Sequence, residues 1–256
     1  MYNIKTFEPT IKYYDLVMTL DNLNNINEYP LPKGFYFKFW NNCKEIKDWI
    51  DIHISTGEFN QYKEATDTFK NFYGDFLPKL NRRLIFICDK TGNKVATATL
   101  SPHIEGDYKV VIDWFAIKKE FQGKKLSKPL LYKVVQIAKE SGYDKILLHT
   151  QTNSWLAAKI YLDFGFMPYN INKKEGWEIL QTLINHTKLK NFNTIAESDI
   201  YDELMLNIKN QLSKIYQNFN FNVWYINGRN DIYVNSDNNF YEYKFYDNGN
   251  KIVKIK

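Results

Sequence analysis

A short polar loop between a predicted strand and a predicted helix has the composition of a phosphate-binding turn. The strand covers Val110–Ile117, and the apolar residues of the helix begin at Leu126 and recur at helical spacing. Gly123 lies between the two elements and permits a tight turn. The first amides of a helix have no partner within it and carry the positive end of its dipole. Because an anion is favoured at such a position, this loop is predicted to hold a phosphate group.

Three lysines add mobile positive charge around the same loop. They are Lys124, Lys125 and Lys128. Pro129 agrees with a helix start at this point, because a residue without an N–H group costs little within the first turn. The predicted ligand of the loop is therefore a polyanion.

The strand, loop and helix together resemble the acyl-CoA signature of the GNAT superfamily of N-acetyltransferases. In that signature Gln or Arg is followed by two residues, Gly, one residue, and Gly or Ala. Gln122 holds the first position, whereas Lys125 and Ser127 stand where the family usually has small residues. The Lys125 side chain either crowds a pyrophosphate or points outward and pairs with it. The resemblance implies cofactor contacts at Gln122, Gly123, Lys124, Lys125, Leu126, Ser127 and Lys128.

A second segment strengthens the resemblance. A strand over Lys145–Thr150 precedes a helix that Asn153 or Ser154 can cap and that Gly165 can end. In GNAT proteins the matching segment closes over the thiol end of the cofactor. The resemblance covers residues 34–169 and implies that Asn153 contacts the cofactor and that Tyr161 lies beside its sulfur.

N-acylation requires an unprotonated amine and a proton donor for the departing thiolate. An amine with a pKa near 10 is mostly protonated at neutral pH, so a general base accelerates the reaction by roughly 10²- to 10⁴-fold. The resemblance implies that Tyr161 is the general acid. Asp113, in the apolar strand, and Glu58, in the joint between two predicted helices, are alternative bases, and Glu58 is also a candidate anchor for the acceptor ammonium. Each residue also has a purely structural interpretation. Tyr161 is then a core tyrosine, Asp113 a cross-strand partner and Glu58 a solvated glutamate.

The central strand has a second expected role. In GNAT folds the sheet splays beside this strand, and the pantetheine arm pairs with its main chain like a short extra strand. The resemblance therefore implies cofactor contacts at Phe115, Ala116 and Ile117. Strand alternation places Asp113 on the same face as Phe115 and Ile117, and apolar surroundings of this kind raise the pKa of a carboxyl group.

Length and composition indicate a globular protein. The 256 residues, 44% of them hydrophobic, are enough for one large domain or two modest ones. No apolar run approaches the length that spans a bilayer, and the amino terminus lacks the apolar block of a signal peptide. Cys43 and Cys88 are too few and too far apart for a disulfide framework or a metal site. We therefore expect a cytoplasmic protein without a membrane partner.

The distribution of charge argues against a nucleic-acid partner. The net charge is +5, but residues 191–256 hold seven basic and eight acidic side chains, so the excess lies in the first 190 residues. A polyanionic cofactor explains this bias, and the sequence has no dense Lys/Arg run of the kind that binds a phosphate backbone. The histidines, His53, His103, His149 and His186, lack metal-ligand spacing, so no metal is expected.

The resemblance implies an α/β fold with a mixed, mostly antiparallel central sheet flanked by helices, as in GNAT proteins, and the remaining pattern is consistent with it. A first strand is predicted at 35–40, and two helices with apolar faces follow it. A hairpin of strands at 83–89 and 94–100 turns at Gly92, and its second strand is expected to pair with the central strand. Residues 1–33 are predicted to be a lead-in packed on the core, and residues 34–190 the acyltransferase domain.

The carboxyl-terminal third has a different pattern. A helix at 173–187 departs from the family's usual order of elements. Residues 191–256 are predicted to form an α+β accessory region, with a helix at 198–219 and an antiparallel meander of four strands. This region either braces the core or makes a homodimer contact, and the alternative is a substrate-selecting module.

The resemblance to GNAT proteins implies an N-acetyltransferase that uses acetyl-CoA and releases coenzyme A. The acceptor is an amine of a small molecule or a peptide, which attacks the thioester directly. One alternative is an acyltransferase with a longer acyl donor. Another is a GNAT-fold binding or regulatory protein without turnover, in which Lys125 and Ser127 mark a decayed cofactor site.

Overall fold

A computed structural model describes residues 8–59, 61–102, 104–169, 173–216, 221–225, 230–236 and 239–255. The chain forms two compact units. We call the first the large-sheet unit, which consists of Val17–His149 and Ile160–Tyr169. We call the second the meander unit, which consists of Met1–Leu16, Thr150–Lys159 and Asn170–Lys256.

The elements follow one another in a mixed order of strands and helices. The strands are β1 (Asp15–Leu20), β2 (Phe35–Phe39), β3 (Leu84–Asp89), β4 (Lys94–Ser101), β5 (Val111–Ile117), β6 (Ile146–Gln151), β7 (Met167–Pro168), β8 (Phe221–Tyr225), β9 (Asp231–Ser236), β10 (Asn239–Tyr246) and β11 (Lys251–Lys254). The α-helices are α1 (Ile46–Thr56), α2 (Tyr62–Tyr73), α3 (Ser127–Glu140), α4 (Trp155–Phe164), α5 (Lys174–Ile184), α6 (Glu197–Ile200) and α7 (Glu203–Ile215). Short 3₁₀ turns at Cys43–Glu45, Gly74–Arg82, Lys119–Phe121, Thr152–Ser154 and Thr187–Leu189 join several of them.

The larger sheet has the strand order β2-β3-β4-β5-β6-β1-β7. β2, β3, β4 and β5 pair antiparallel in sequence, and β5 pairs with β6 in parallel. This confirms the predicted mixed, mostly antiparallel sheet. Gly92, in the hairpin between β3 and β4, has a φ of 89°, which glycine adopts without steric cost.

The amino-terminal segment does more than pack on the core. β1 enters the sheet between β6 and β7, and its residues from Leu16 to Leu20 are all buried. A short apolar run buried on both faces has no periodicity that distinguishes a strand from a helix, so the sequence did not identify this strand. β1 also completes the sheet at this end, because β7 pairs with β1 through Met18–Pro168 and Thr19–Met167. The domain boundaries at 33 and 190 stay a prediction.

Helices α1 and α2 cover one face of β3 and β4. Their buried side chains form an aromatic core around Trp49, which contacts the rings of Phe69, Phe59 and Tyr73. The buried positions of α2 are Ala65, Phe69 and Tyr73. Tyr62 and Phe72 of the same helix are exposed.

The meander unit contains the smaller sheet, with the strand order β11-β10-β9-β8. This confirms the predicted antiparallel meander. The single helix predicted at 198–219 is wrong. Tyr201 is extended, and the Asp202 carboxylate accepts a hydrogen bond from Met205 N at 3.0 Å, so α6 ends and α7 begins there. The buried face of α7, around Ile208 and Leu212, packs on the meander.

Two general properties bear on function. No helix in the described part of the chain has both the length and the apolar character needed to cross a membrane. Within the same ranges, no three His, Cys, Asp or Glu side chains are grouped in a way that suits a metal ion. His103 lies outside the described residues.

Candidate active site

A β-bulge interrupts β5 at its centre. Thr97 and Thr99 of β4 pair with Ala116 and Asp113, so Trp114 and Phe115 together lie opposite one residue of β4. Trp114 has a φ of 51°, an uncommon conformation for a bulky residue. The predicted alternation from Asp113 to Phe115 is therefore wrong, because the extra residue reverses the faces of the strand beyond it.

Beyond this bulge β5 separates from β6. Among the described residues, their parallel ladder consists of Val111–Leu147 and Ile112–Leu148. On its other side β5 stays paired with β4 as far as Ile117. Within the described ranges, the side of β5 that faces β6 has no strand partner from Trp114 to Ile117, which leaves an edge to which an extended ligand can add.

The polar loop between β5 and α3 contains two left-handed residues. Gly123 has a φ of 76° and Lys125 a φ of 61°. A residue with a side chain is disfavoured there by about 1–2 kcal/mol, which explains a preference for small residues at such a position. Lys125 is exposed to solvent. Left-handed residues that alternate with right-handed or extended ones turn successive N–H groups to one side, which makes a concave anion site.

The amino terminus of α3 has no side-chain cap. Its cap residue, Leu126, makes no side-chain hydrogen bond to the first turn, and that turn contains no acidic residue. Ser127 is the first residue of the helix, and Lys128 the second. The Lys124 ammonium lies 4.1 Å from the centre of the Phe121 ring, and that of Lys128 lies 5.6 Å from the centre of the Tyr29 ring. These contacts keep positive charge beside the loop.

The Gln122 side chain ties the loop to the end of β5. Its Nε2 donates a hydrogen bond to the Ile117 carbonyl at 3.1 Å. Of the three β5 residues predicted to contact the cofactor, Ala116 and Ile117 are buried and Phe115 is half-buried. The structure thus brings together the predicted loop residues and the predicted strand residues at one end of β5.

Tyr161 lies next to the bulge. Its ring meets that of Phe115 edge to face, with 5.8 Å between the ring centres, and also contacts Phe166. Tyr161 is 6% exposed. Burial raises the pKa of its phenol well above the usual value, and the negative charge of Glu58 raises it further. The phenol is therefore protonated at neutral pH.

Glu58 follows the turn that ends α1. Gly57 closes the helix with a φ of 86°, and the Glu58 N–H group donates to the His53 carbonyl at 3.0 Å. Solvent reaches the Glu58 side chain, yet the protein atoms around its carboxyl group displace enough water to raise its pKa. The charge of Glu64 raises that pKa further. A base with a raised pKa accepts a proton more readily near neutral pH.

Asp113 lies on a different face from Phe115. It pairs with Thr99, which pairs with Leu84 on its other side, and Leu84 belongs to the aromatic core under α1 and α2. Burial raises the pKa of the Tyr73 phenol, and the Asp113 carboxylate raises it further. Asp113 thus faces α2, and its role as a base stays a prediction.

Asn153 belongs to the meander unit, unlike the other predicted site residues. It lies in the 3₁₀ turn before α4, where its carbonyl accepts a hydrogen bond from Glu8 N at 2.9 Å. Its side-chain oxygen is buried and has no hydrogen-bond partner among the described residues. Its contact with the cofactor stays a prediction.

Trp114 is the residue that the sequence analysis missed. Its ring stacks on Phe59 and meets Phe72, Trp49 and His53 edge to face. Burial lowers the pKa of His53 to about 3, so this imidazole is neutral. An aromatic wall therefore lines the bulge on the side of α1 and α2. The sequence gives no signal for it, because a bulge leaves no mark in a run of apolar residues.

Comparison with known proteins agrees with this geometry. Residues 46–166 match the sequence model of the Acetyltransferase (GNAT) family. No curated protein sequence matches the chain. A solved GCN5-related N-acetyltransferase from Sphaerobacter thermophilus superposes with a TM-score of 0.51 at 13% identity, over 62% of this chain and 49% of that chain.

Two further solved structures are more distant. A GNAT-family acetyltransferase from Colwellia psychrerythraea has a TM-score of 0.47 at 14% identity, and a GCN5-related N-acetyltransferase from Kribbella flavida has 0.44 at 16%. Each superposition covers 62% of this chain, with 55% and 56% of the respective relatives. The match therefore spans about half the length of each relative. Residues 46–166 of this chain form a segment of the GNAT superfamily.

Proposed function

We propose that this protein is an N-acetyltransferase that transfers an acetyl group from acetyl-CoA to an amine. The separation of β5 from β6 next to the positively charged loop before α3 is the observation that carries this proposal. A GNAT segment supports acyl transfer in general. The choice of acetyl-CoA as donor and of an amine as acceptor is the specific part of the proposal.

The residues at this end of β5 fit an acyl-CoA. The amides of Gly123 to Ser127 and the charges of Lys124, Lys125 and Lys128 suit the pyrophosphate, because the helix start has neither a side-chain cap nor an acidic residue. The unpaired side of β5 at Phe115 to Ile117 suits the amide-containing pantetheine arm. When bound, acetyl-CoA supplies the thioester carbonyl that the amine attacks.

Glu58 acts as the general base in this proposal. An acceptor amine arrives mostly protonated at neutral pH, and Glu58 has a raised pKa and remains accessible to solvent. Its negative charge acts on Tyr161, so the two groups lie within electrostatic reach of each other. Asp113, which faces α2, is the alternative base.

Tyr161 acts as a hydrogen-bond donor to the departing sulfur. A phenol has an ordinary pKa of about 10 and a thiol one of about 8.5, and burial raises that of Tyr161 further. Complete proton transfer to the thiolate is thus uphill by more than about 2 kcal/mol. Donation of a hydrogen bond needs no such transfer and still stabilises charge as it develops on sulfur.

The direct test combines acetyl-CoA binding with turnover. Calorimetry measures binding, and a thiol-reactive dye measures coenzyme A released in the presence of a panel of small amines and peptides. The proposal expects both. Binding without release by any acceptor indicates the regulatory alternative, and release from hexanoyl-CoA in preference to acetyl-CoA indicates the longer donor. We place this reaction in the cytoplasm, where acetyl-CoA is available.

A further inference from the structure

Trp114 keeps part of its indole ring open to solvent although it contacts several other rings. It is half-buried, whereas Trp49 and His53, which it meets edge to face, are at most 2% exposed. Its φ of 51° is costly for a bulky residue. Such strain persists only where the surrounding packing enforces it, and it is concentrated at functional positions. The bulge thus holds a partly accessible indole ring next to Phe115 in the candidate active site.

Phe72 of α2 extends this accessible aromatic surface. Its ring meets that of Trp114 edge to face, with 5.6 Å between the ring centres, and the residue is 43% exposed. Other residues form the buried side of α2, so a role in the core does not explain this ring. We call Trp114 and Phe72 the aromatic platform. A flat apolar group that covers the platform removes exposed carbon from water.

A carboxylate lies close to the platform. Glu58 directly precedes Phe59, whose ring stacks on Trp114 with 5.5 Å between the ring centres. Consecutive Cα atoms are about 3.8 Å apart, so a short linker spans the step from the charge to the rings. The Glu58 charge also acts on the Tyr161 phenol. Glu58 therefore lies between the platform and the predicted proton donor.

Helix α2 repeats this order of charge and ring. Glu64, Thr68 and Phe72 are four residues apart and lie along one side of the helix. The Glu64 charge acts on Glu58, whereas Phe72 contacts Trp114. This side of α2 therefore leads from a negatively charged end to an aromatic end.

Charge and ring surface together select the ligand. The carboxylates of Glu58 and Glu64 favour an ammonium group and disfavour an anion. The platform favours an aromatic group, because rings in edge-to-face contact gain energy beyond that of area burial. The acyl chain of a longer donor lacks a positive charge for Glu58. A molecule with an amine at one end and a ring at the other matches both features.

We propose that Trp114 and Phe72 bind an aromatic ring of the acceptor, so that the acceptor is an arylalkylamine. This inference rests on the proposed acetyl transfer and specifies its substrate class. The amine of such an acceptor lies between Glu58 and Tyr161, at the reacting end of the cofactor. A linker of about two or three carbons places its ring on the platform.

Three amines with the same linker test the inference. Phenylpropylamine and cyclohexylpropylamine have equal numbers of heavy atoms, and propylamine lacks the ring. With acetyl-CoA as donor, we expect kcat/KM for phenylpropylamine to exceed that for propylamine at least about tenfold, and that for cyclohexylpropylamine about three- to tenfold. Equal values for the two ring-bearing amines, or a higher value for the saturated one, would overturn the inference.

Two other results would also overturn it. Faster acetylation of spermidine than of phenylpropylamine would show that the site selects a second positive charge. Faster transfer to propylamine from hexanoyl-CoA than from acetyl-CoA would show that the platform binds the acyl chain of the donor.

Variants at Phe72 link the preference to the platform. Phe72→Leu keeps an apolar side chain but removes the ring, so the preference for phenylpropylamine over propylamine should fall about three- to tenfold. Phe72→Tyr keeps the ring and should keep the preference. Tyr62→Leu is the matched control, because Tyr62 is an equally exposed ring of α2 that contacts Lys47, and its loss should leave the preference unchanged. A preference that survives Phe72→Leu would refute the platform.

Binding of the ring is measured separately from transfer by stabilisation of the protein against heat. Phenylpropylamine alone should raise the melting temperature more than propylamine does, and Phe72→Leu should remove the difference. Equal stabilisation by the two amines, with normal acetyl-CoA binding, refutes the arylalkylamine and leaves acetyl transfer intact. Absence of acetyl-CoA binding by the unmodified protein refutes acetyl transfer itself.

Discussion

The ring of Phe115 meets the ring of Tyr161 edge to face, with 5.8 Å between their centres. Phe115 belongs to the bulge of β5, and Tyr161 lies in α4, so this contact joins the edge predicted to bind pantetheine to the predicted proton donor. The contact also fixes where a thioester is expected to lie, since both residues are assigned to the reacting end of the cofactor.

The role of Tyr161 can be tested with Tyr161→Phe. The change keeps the ring and its contact with Phe115 and removes only the hydroxyl, so kcat should fall roughly 10- to 10³-fold while acetyl-CoA affinity holds. Steady-state kinetics and calorimetry measure the two quantities. Tyr132→Phe, a half-buried tyrosine on α3, is the matched control and should keep its activity. A wild-type kcat for Tyr161→Phe would leave this residue a packing role only.

The loop before α3 can be tested through Lys125. Lys125→Glu places negative charge beside a polyanion and should weaken acetyl-CoA binding about 10- to 100-fold. Lys125→Gly removes the side chain from a left-handed residue with a φ of 61°, which relieves about 1 kcal/mol of strain and preserves the amides. Its affinity should therefore remain much closer to that of the unmodified protein. Calorimetry that shows no change in either variant would remove this loop from the cofactor site.

The general base can be identified from the pH dependence of kcat/KM. If Glu58 is the base, activity falls as the pH drops through its raised pKa. Glu64→Gln removes one cause of that raised pKa and should move the acid limb of the profile to lower pH. Glu58→Gln should abolish this limb together with most of the activity. The base would instead be Asp113 if Glu64→Gln left the acid limb of the pH profile unchanged and Asp113→Asn removed that limb.

Glu58 should also affect stability. Because its pKa is higher in the folded state than in the unfolded state, its favourable contribution is complete below the unfolded pKa of about 4.3 and is lost as the pH rises through the folded pKa. Glu58→Gln stays neutral and should therefore raise the melting temperature at pH 7 but have little effect at pH 4. Equal effects at both pH values would show that burial of the charge is not the cause.

A buried ion pair at the opposite end of α1 gives the reverse dependence. Burial alone would raise the pKa of Glu45, but hydrogen bonds from Lys38, Asn41 N and Lys94 outweigh it and lower that pKa. Its contribution is present above the unfolded pKa and is lost as the pH falls through the folded one. Glu45→Gln should reduce the free energy of unfolding by about 1.5–3 kcal/mol at pH 7, and by progressively less as the pH falls through the lowered pKa of the folded state. Chemical denaturation measures it, with the exposed Asp67→Asn as a control that changes little.

The sequence determined most of the elements and the cofactor loop. The spacing of apolar residues predicted β2 to β5, α1 to α5 and the meander, because periodicity is a local property of the chain. The cofactor loop from Gln122 to Lys128 could also be predicted from the sequence, because its strand, glycine and helix start are consecutive in the chain. Apolar spacing did not predict the break at Asp202, because one continuous apolar pattern runs across two helices that a single side-chain cap separates.

The tertiary structure decided the rest of the site. The bulge at Trp114 depends on how β5 aligns with β4, so no periodicity within β5 reveals that Asp113 and Phe115 face opposite sides. The place of β1 between β6 and β7 depends on pairing between distant segments. Local spacing fixes an element and its faces, but which faces meet is set by the long-range pairing and packing of the sheet.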